Sequence, residues 1–151
     1  MIYKNKNSIK LNDKVAIVTG ASEGLGSQIS KTLCEAGANI VLGARNKKKL
    51  EYLSDELNNL KTSDQKILYK KLDVTKDADV SSFVNLTIKE FGKCEILINN
   101  AGIYGPKGKF EDIELKDFSY AMNVNFYGSI RMCHKLLPYM KRQKYGKIIQ
   151  L

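Results

Sequence analysis

Long apolar runs are missing from this chain. None approaches the ~20 residues that a membrane-spanning helix requires, so no membrane partner is expected. Residues Met1 to Lys10 are rich in lysine and asparagine and lack the apolar core of a secretory signal, which makes the cytoplasm the expected location. Histidine occurs once, as His134, with no Cys, Asp or Glu at ligand spacing. The three cysteines, Cys34, Cys94 and Cys133, are far apart and form no CxxC pair, so reduced structural thiols are expected and no metal site is. Arginine is scarce as well. Of 25 cationic residues only Arg45, Arg131 and Arg142 are arginines, and the one dense cationic run is Lys47-Lys48-Lys49. Planar recognition of phosphates and base edges favours arginine, so the net charge of +9 reads as a lysine and asparagine bias and no nucleic-acid partner is expected.

What remains is ordinary for a globular protein: 151 residues, 43% apolar and 27% charged. Such a length buries roughly 70% of the unfolded surface in a single core. One domain over residues 11–151 is expected, preceded by a solvated arm over 1–10.

The chain is organised around Val15-Ala16-Ile17-Val18-Thr19-Gly20-Ala21-Ser22-Glu23-Gly24-Leu25-Gly26. Val15 to Val18 are continuously apolar, as in a parallel strand buried on both faces. Gly20, Gly24 and Gly26 follow, supplying backbone that tolerates positive φ and lies close to a ligand or a neighbouring strand. The N–H groups of the helix that starts there can face an anion, so the stretch reads as a phosphate-binding turn.

Downstream, strand and helix signals alternate. Leu25, Ile29, Leu33 and Ala36 recur at helical spacing before Gly37, predicting a helix over about 24–36 with those residues inward. Asn39 to Ala44 is a second strand, and Asn46 opens a helix whose inner stripe is Leu50, Leu53, Leu57 and Leu60. Lysines in its first turn oppose the helix dipole, so they serve solubility or an anion. Lys66 to Leu72 forms a third strand. Asp77 and Asp79 open a helix with Val80, Phe83, Val84, Ile88 and Phe91 inside, closed by Gly92. Glu95 to Asn99 is a fourth strand, residues 115–142 a long helix carrying Pro138, and Lys147 to Leu151 the start of a fifth strand. The class is therefore α/β, with a doubly wound parallel sheet and right-handed crossovers. The candidate residues fall at the carboxyl ends of the strands, where such sheets bind ligands.

Four motifs occur in order: TGASEGLG at Thr19 to Gly26, Asp73-Val74, NNAG at Asn99 to Gly102, and Asn125 within NVNFYG. From about Leu11 onward the chain resembles a classical short-chain dehydrogenase/reductase, N-terminal part only. The resemblance implies a Rossmann-like sheet, NAD(H) or NADP(H) as cofactor, and hydride transfer with a small-molecule alcohol or carbonyl substrate. It also implies a homo-oligomer, because in relatives the helix bearing Asn125 packs on its symmetry mate.

The residues then take roles. Gly20, Ser22, Glu23, Gly24, Leu25 and Gly26 form the phosphate turn. Asp73 is implied to accept from the adenine amino group, with the Val74 backbone beside it; a helix-capping Asp is the alternative. Asn100, Ala101 and Gly102 offer a small-residue surface for ribose and nicotinamide, or else a plain turn. At the end of the second strand stands Arg45 and no carboxylate, which favours NADP(H) over NAD(H). Glu23 runs against that preference, since an inward-pointing acid repels a 2′-phosphate. Asn125 shares a helix face with Phe118, Met122, Met132 and Leu136, so its amide is expected to point towards the core, where an unpaired polar group costs about 1–3 kcal/mol. A bond to a neighbouring element satisfies it on one account. The resemblance implies instead a catalytic role, holding a water linked to an active-site lysine.

The family's Ser and Tyr-xxx-Lys are not found: no tyrosine here is followed four residues later by lysine. The sequence therefore reads as a reductase truncated within its fifth strand, or alternatively as a non-catalytic dinucleotide-binding remnant that needs a partner chain.

Overall fold

A computed structural model of the protein describes residues 10–62 and 64–151. The expected N-terminal arm lies outside the described residues except for Lys10, which is exposed. Leu11 N–H donates to Ala36 O at 2.7 Å, which ties the start of the described chain to the end of the first helix.

The strands are β1 (Val15–Thr19), β2 (Asn39–Ala44), β3 (Ile67–Lys71), β4 (Ile96–Asn99) and β5 (Lys147–Gln150). They form one all-parallel sheet in the order β3-β2-β1-β4-β5. The order reverses at β1, so the gap between β1 and β4 is the switch point of a Rossmann-like sheet. β1 sits centrally and Val15 to Val18 are 0% exposed, because side chains of alternate residues leave opposite faces. Val15 and Ile17 join Phe83, Leu97, Met132 and Leu136 on one face, while Ala16 and Val18 join Ile40, Leu42, Leu50 and Leu57 on the other. Burying each large side chain contributes about 1.5–3 kcal/mol.

Helices cover both faces: α1 (Gly24–Glu35) and α2 (Lys47–Leu60) on one, α3 (Asp77–Phe91) and α5 (Gly128–Arg142) on the other. Asn46 caps α2 as expected, its Oδ1 accepting from Lys49 N–H at 3.1 Å. Gly92 ends α3 at φ +71°. Glu95 is buried just before β4, where its Oε2 accepts from Val15 N–H at 2.9 Å and its Oε1 pairs with Lys93 at 3.0 Å. That bond locks the amino ends of β1 and β4.

Three expectations need correction. Leu60, expected on the inner stripe of α2, is the last residue of that helix and is 45% exposed, while Leu50, Leu53 and Leu57 are buried as expected. In α1 the buried residues are Gly26, Ser30 and Cys34, with Ile29 and Leu33 half-buried and Leu25 59% exposed. The inner face is one of small residues, which brings the helix close to the sheet and turns Leu25 outward. The helix expected over 115–142 is also not uniform. It consists of α4 (Leu115–Met122), a π-helical turn at Asn123–Tyr127, and α5, which continues through Pro138. A π turn inserts one residue into the α-helical repeat. Phe118 and Met122 are accordingly exposed, whereas Ala121, Val124, Gly128, Met132 and Leu136 face inward.

Candidate cofactor site at the switch point

Every residue singled out in the sequence except Gly26 lines one cleft of about 890 Å³ at the carboxyl ends of the strands. This is the size range of small-molecule sites. Gly26 lies behind the cleft wall, and its place there is dictated by packing. A Cβ on it would stand 2.4 Å from Gly20 O and 2.5 Å from Asn100 Nδ2. Gly20, at φ +62°, approaches Ala101 so closely that a Cβ would fall 2.8 Å from its Cα.

Polar bonds from β1 and β4 hold this turn. Thr19 is buried, and its Oγ1 accepts from the N–H groups of Asn100 and Ala101, both at 3.0 Å, while donating to Ile98 O at 3.4 Å. Asn100 Nδ2 donates to Thr19 O and Gly20 O, both at 3.1 Å. The Asn100 side chain is thus a brace for the glycine turn, and the surface left to the cleft comes from Ala101 and Gly102. Sequence reasoning gave Thr19 no role. The available signal was a hydroxyl closing an otherwise apolar buried strand, which demands partners.

The amino end of α1 opens into the cleft without a cap. Glu23 precedes the helix with no capping bond from its side chain, and the first turn holds no acidic residue. Around Gly24, at φ +58°, nothing lies within 4 Å of where a Cβ would be. Unsatisfied N–H groups and the positive end of the helix dipole therefore face open space, an arrangement suited to a diphosphate.

Glu23 does not point its charge into that space unopposed. Its carboxylate pairs with Lys49 in the first turn of α2, and the Lys49 ammonium holds it below the usual glutamate range. Arg45 is exposed at the cleft rim, with no carboxylate within ion-pair distance among the described residues; its Nη1 donates to Tyr120 Oη at 3.4 Å.

Asp73 is half-buried, and its Oδ1 accepts from Thr75 N–H at 3.0 Å and Thr75 Oγ1 at 2.7 Å. Burial pushes its pKa up, but the Thr75 bonds and the charges of Lys76 and Arg45 outweigh it and hold the carboxyl below the usual aspartate range. It is not a helix cap: α3 begins after Lys76, and Asp73 instead folds a short turn on Thr75. Its Oδ2 makes no protein hydrogen bond among the described residues. Val74 is buried against Gly128, where a Cβ would fall 2.6 Å from Val74 Cγ2. Arg131 fastens the same corner, with Nη1 donating to Val74 O at 3.5 Å and Asn123 O at 3.4 Å and Nε pairing with Asp77 at 3.2 Å.

Asn125 corrects an expectation. It is exposed, not core-facing, and its amide is fully engaged by the loop after β4: Oδ1 accepts from Ile103 N–H and Nδ2 donates to Ile103 O, each at 2.9 Å. The π turn rotates it out of the core face and onto the cleft wall.

The fold and this arrangement define an α/β protein with a glycine turn and an uncapped helix start at the switch point of a parallel sheet. Residues 14–151 match the family described as short chain dehydrogenase, and the chain belongs to that family. An uncharacterized oxidoreductase of Staphylococcus saprophyticus is 37% identical over 145 residues, covering 96% of this chain and 56% of that protein. A metagenomic short-chain oxidoreductase solved with NADP superposes with a TM-score of 0.85 at 28% identity, covering 93% of this chain and 62% of that one. A 7α-hydroxysteroid dehydrogenase solved with NADH and 7-oxo glycochenodeoxycholic acid gives 0.88 at 30% identity, covering 100% and 56%. The chain spans about half the length of the curated relatives it matches.

Proposed function

We propose that this chain forms the cofactor site of an oxidoreductase that moves a hydride between NADP(H) and an alcohol or carbonyl substrate. The single observation that carries this is the uncapped amino end of α1 opening into a cleft whose rim bears Arg45, which has no carboxylate partner among the described residues. The residues present fit a nicotinamide dinucleotide. In this reading the N–H groups at Gly24 and Leu25 hold the diphosphate, Ser22 lies beside it, and Gly26 lets the turn close behind them. Asp73 Oδ2 accepts from the adenine amino group, next to the Val74 backbone. Arg45 pairs with the 2′-phosphate, and Ala101 and Gly102 provide the bed for the nicotinamide riboside, with Asn100 bracing it from behind. When bound, the cofactor supplies or takes the hydride. Asn125 spends its amide on Ile103, so in this proposal it acts as a positioning residue that sets the wall of the reaction space.

The dinucleotide reading is supported by the NADP and NADH carried by the two structural relatives. Because one carries each form, the preference for NADP(H) rests on Arg45 alone. The experiment is a titration that follows the fluorescence of NADPH and NADH, which the tryptophan-free protein leaves uncluttered. Arg45→Ala is expected to weaken NADPH about tenfold or more, the loss of a charge-assisted bond, and NADH about twofold at most. Equal losses overturn the preference.

We further propose a homo-oligomer and a cytoplasmic location. The first draws support from exposed Phe126, Tyr127, Ile130 and Leu137 along the π turn and α5, the second from three free cysteines. A second reading, a dinucleotide-binding remnant that needs a partner chain, draws on the outer edge of β5. Ile148, Ile149 and Leu151 are exposed there, and Asn99 Oδ1 is buried nearby with no hydrogen-bond partner among the described residues. Turnover of an alcohol with NADP⁺ by the isolated protein favours the enzyme, and cofactor binding with no turnover until a second chain is added favours the remnant.

A further inference from the structure

The Glu23–Lys49 pair bridges two elements that the cleft separates. Glu23 belongs to the glycine turn and Lys49 to the first turn of α2, which begins directly after Arg45 and its neighbour Asn46. The Asn46 cap fixes the Lys49 backbone at 3.1 Å, so the main chain of Lys49 is held close to Arg45 in sequence while its four-carbon stem is free to swing. Both side chains are more exposed than buried, at 51% for Lys49 and 70% for Glu23. Lys49 also lines a groove of about 310 Å³ beside the cleft, and Ser22 lines both. Inside that groove Glu56 is already taken by Lys31 at 2.6 Å. Glu23 is therefore the one carboxylate paired with Lys49 among the described residues, and the neighbouring Lys47 and Lys48 have none.

We propose that Lys49 is a second cation for the 2′-phosphate of NADP(H), held in reserve by Glu23, so that this pair sets how strongly the site separates the phosphorylated dinucleotide from the unphosphorylated one. This inference rests on the cofactor reading given above. An exposed ion pair between single charges is weak and easily exchanged. A phosphate carries close to two charges and three strong acceptor oxygens, so it outbids a carboxylate for the same ammonium. Three lysines crowd the first turn of α2, where cations oppose the helix dipole, and an anion arriving there relieves that strain as well as Glu23 does. An unphosphorylated dinucleotide gives Lys49 no reason to leave Glu23. Glu23 thus acts as a resident competitor: it protects the site from stray anions and lowers the affinity for NADPH, while leaving NADH untouched.

A double-mutant cycle read by equilibrium titration with NADPH and NADH tests this. Glu23→Gln is expected to tighten NADPH about two- to fivefold and to leave NADH within about twofold. Lys49→Gln is expected to weaken NADPH about fivefold, and Lys49→Arg to restore it. The decisive arm is Glu23→Gln in the Lys49→Gln background, where the gain disappears. A gain that survives there means that Glu23 merely repels the phosphate, and the exchange is overturned; so does a Lys49→Gln protein with an unchanged ratio of the two affinities. Arg45→Ala, run alongside, separates the two layers. Selective loss of NADPH in Arg45→Ala together with a surviving Glu23 effect removes the exchange alone, whereas no selectivity in either the parent or Arg45→Ala removes the 2′-phosphate reading and the exchange with it.

Discussion

Asn125 and Ile103 exchange two hydrogen bonds of 2.9 Å, side-chain amide to main-chain amide, so a single residue of the π turn mimics a strand partner for the loop that follows β4. The pairing ties the wall of the cleft to the end of the strand that carries Asn100 to Gly102. Asn125→Ala removes both bonds and is expected to cost about 1–2 kcal/mol in chemical denaturation. Asn125→Asp keeps the bond from Ile103 N–H but sets a carboxylate oxygen against Ile103 O, so it should cost at least as much. A loss below about 0.5 kcal/mol for either variant would mean that the loop is held by something else.

Thr19 is the keystone beneath the turn. Thr19→Val preserves shape but leaves the N–H groups of Asn100 and Ala101 without their acceptor, and a destabilisation of about 2–4 kcal/mol is expected, whereas Thr19→Ser keeps the acceptor and should cost about 1 kcal/mol. Urea unfolding of the two variants checks this. Equal destabilisation by Val and Ser would point to lost packing rather than lost hydrogen bonds.

Gly26 and Gly24 separate two glycine requirements. At Gly26 a Cβ would meet Gly20 O and Asn100 Nδ2, backbone and brace, so Gly26→Ala must shift the turn. It is expected to destabilise by about 1–3 kcal/mol and to weaken dinucleotide binding together with stability. At Gly24 nothing is near and only the positive φ opposes a side chain, so Gly24→Ala should cost about 1 kcal/mol. Thermal denaturation and cofactor titration of both variants check the order, and a costlier Gly24→Ala would reverse it.

Asp73 carries a pH dependence with a fixed sign. Its folded pKa lies below the ordinary aspartate value, so its ionised form stabilises the fold at pH above that ordinary value of about 3.9. The contribution fades as the pH falls through the lower folded pKa. The melting temperature of Asp73→Asn should therefore lie below that of the parent at neutral pH and converge with it in acid. Curves that stay parallel down to acid unfolding would contradict the account.

The first half of the site was readable because its signals are local. A continuous apolar strand, glycine spacing and an uncapped helix start all fall within Val15 to Gly26, and the Asn46 cap announces itself beside Arg45. Elements governed by distant contacts were harder. The helical stripe of Leu25, Ile29 and Leu33 suggested an inward Leu25, yet Gly26, Ser30 and Cys34 win that face because small residues let α1 settle onto the sheet. The π turn escapes any 3.6-residue period, which is why Phe118, Met122 and Asn125 were expected on the wrong side. Glu23 looked adverse in sequence because its partner lies 26 residues away.

The central claim is that the uncapped start of α1 holds the diphosphate of a nicotinamide dinucleotide, with Arg45 at the 2′-phosphate. The direct measurement is the backbone amide NMR spectrum of the protein titrated with NADPH. The account predicts that the largest saturable shifts fall on the amides of Gly24 and Leu25, followed by Gly26, Arg45 and Val74, with β5 unaffected. Saturable binding that leaves the Gly24 to Gly26 amides unmoved, or no binding of either NADPH or NADH, would contradict it.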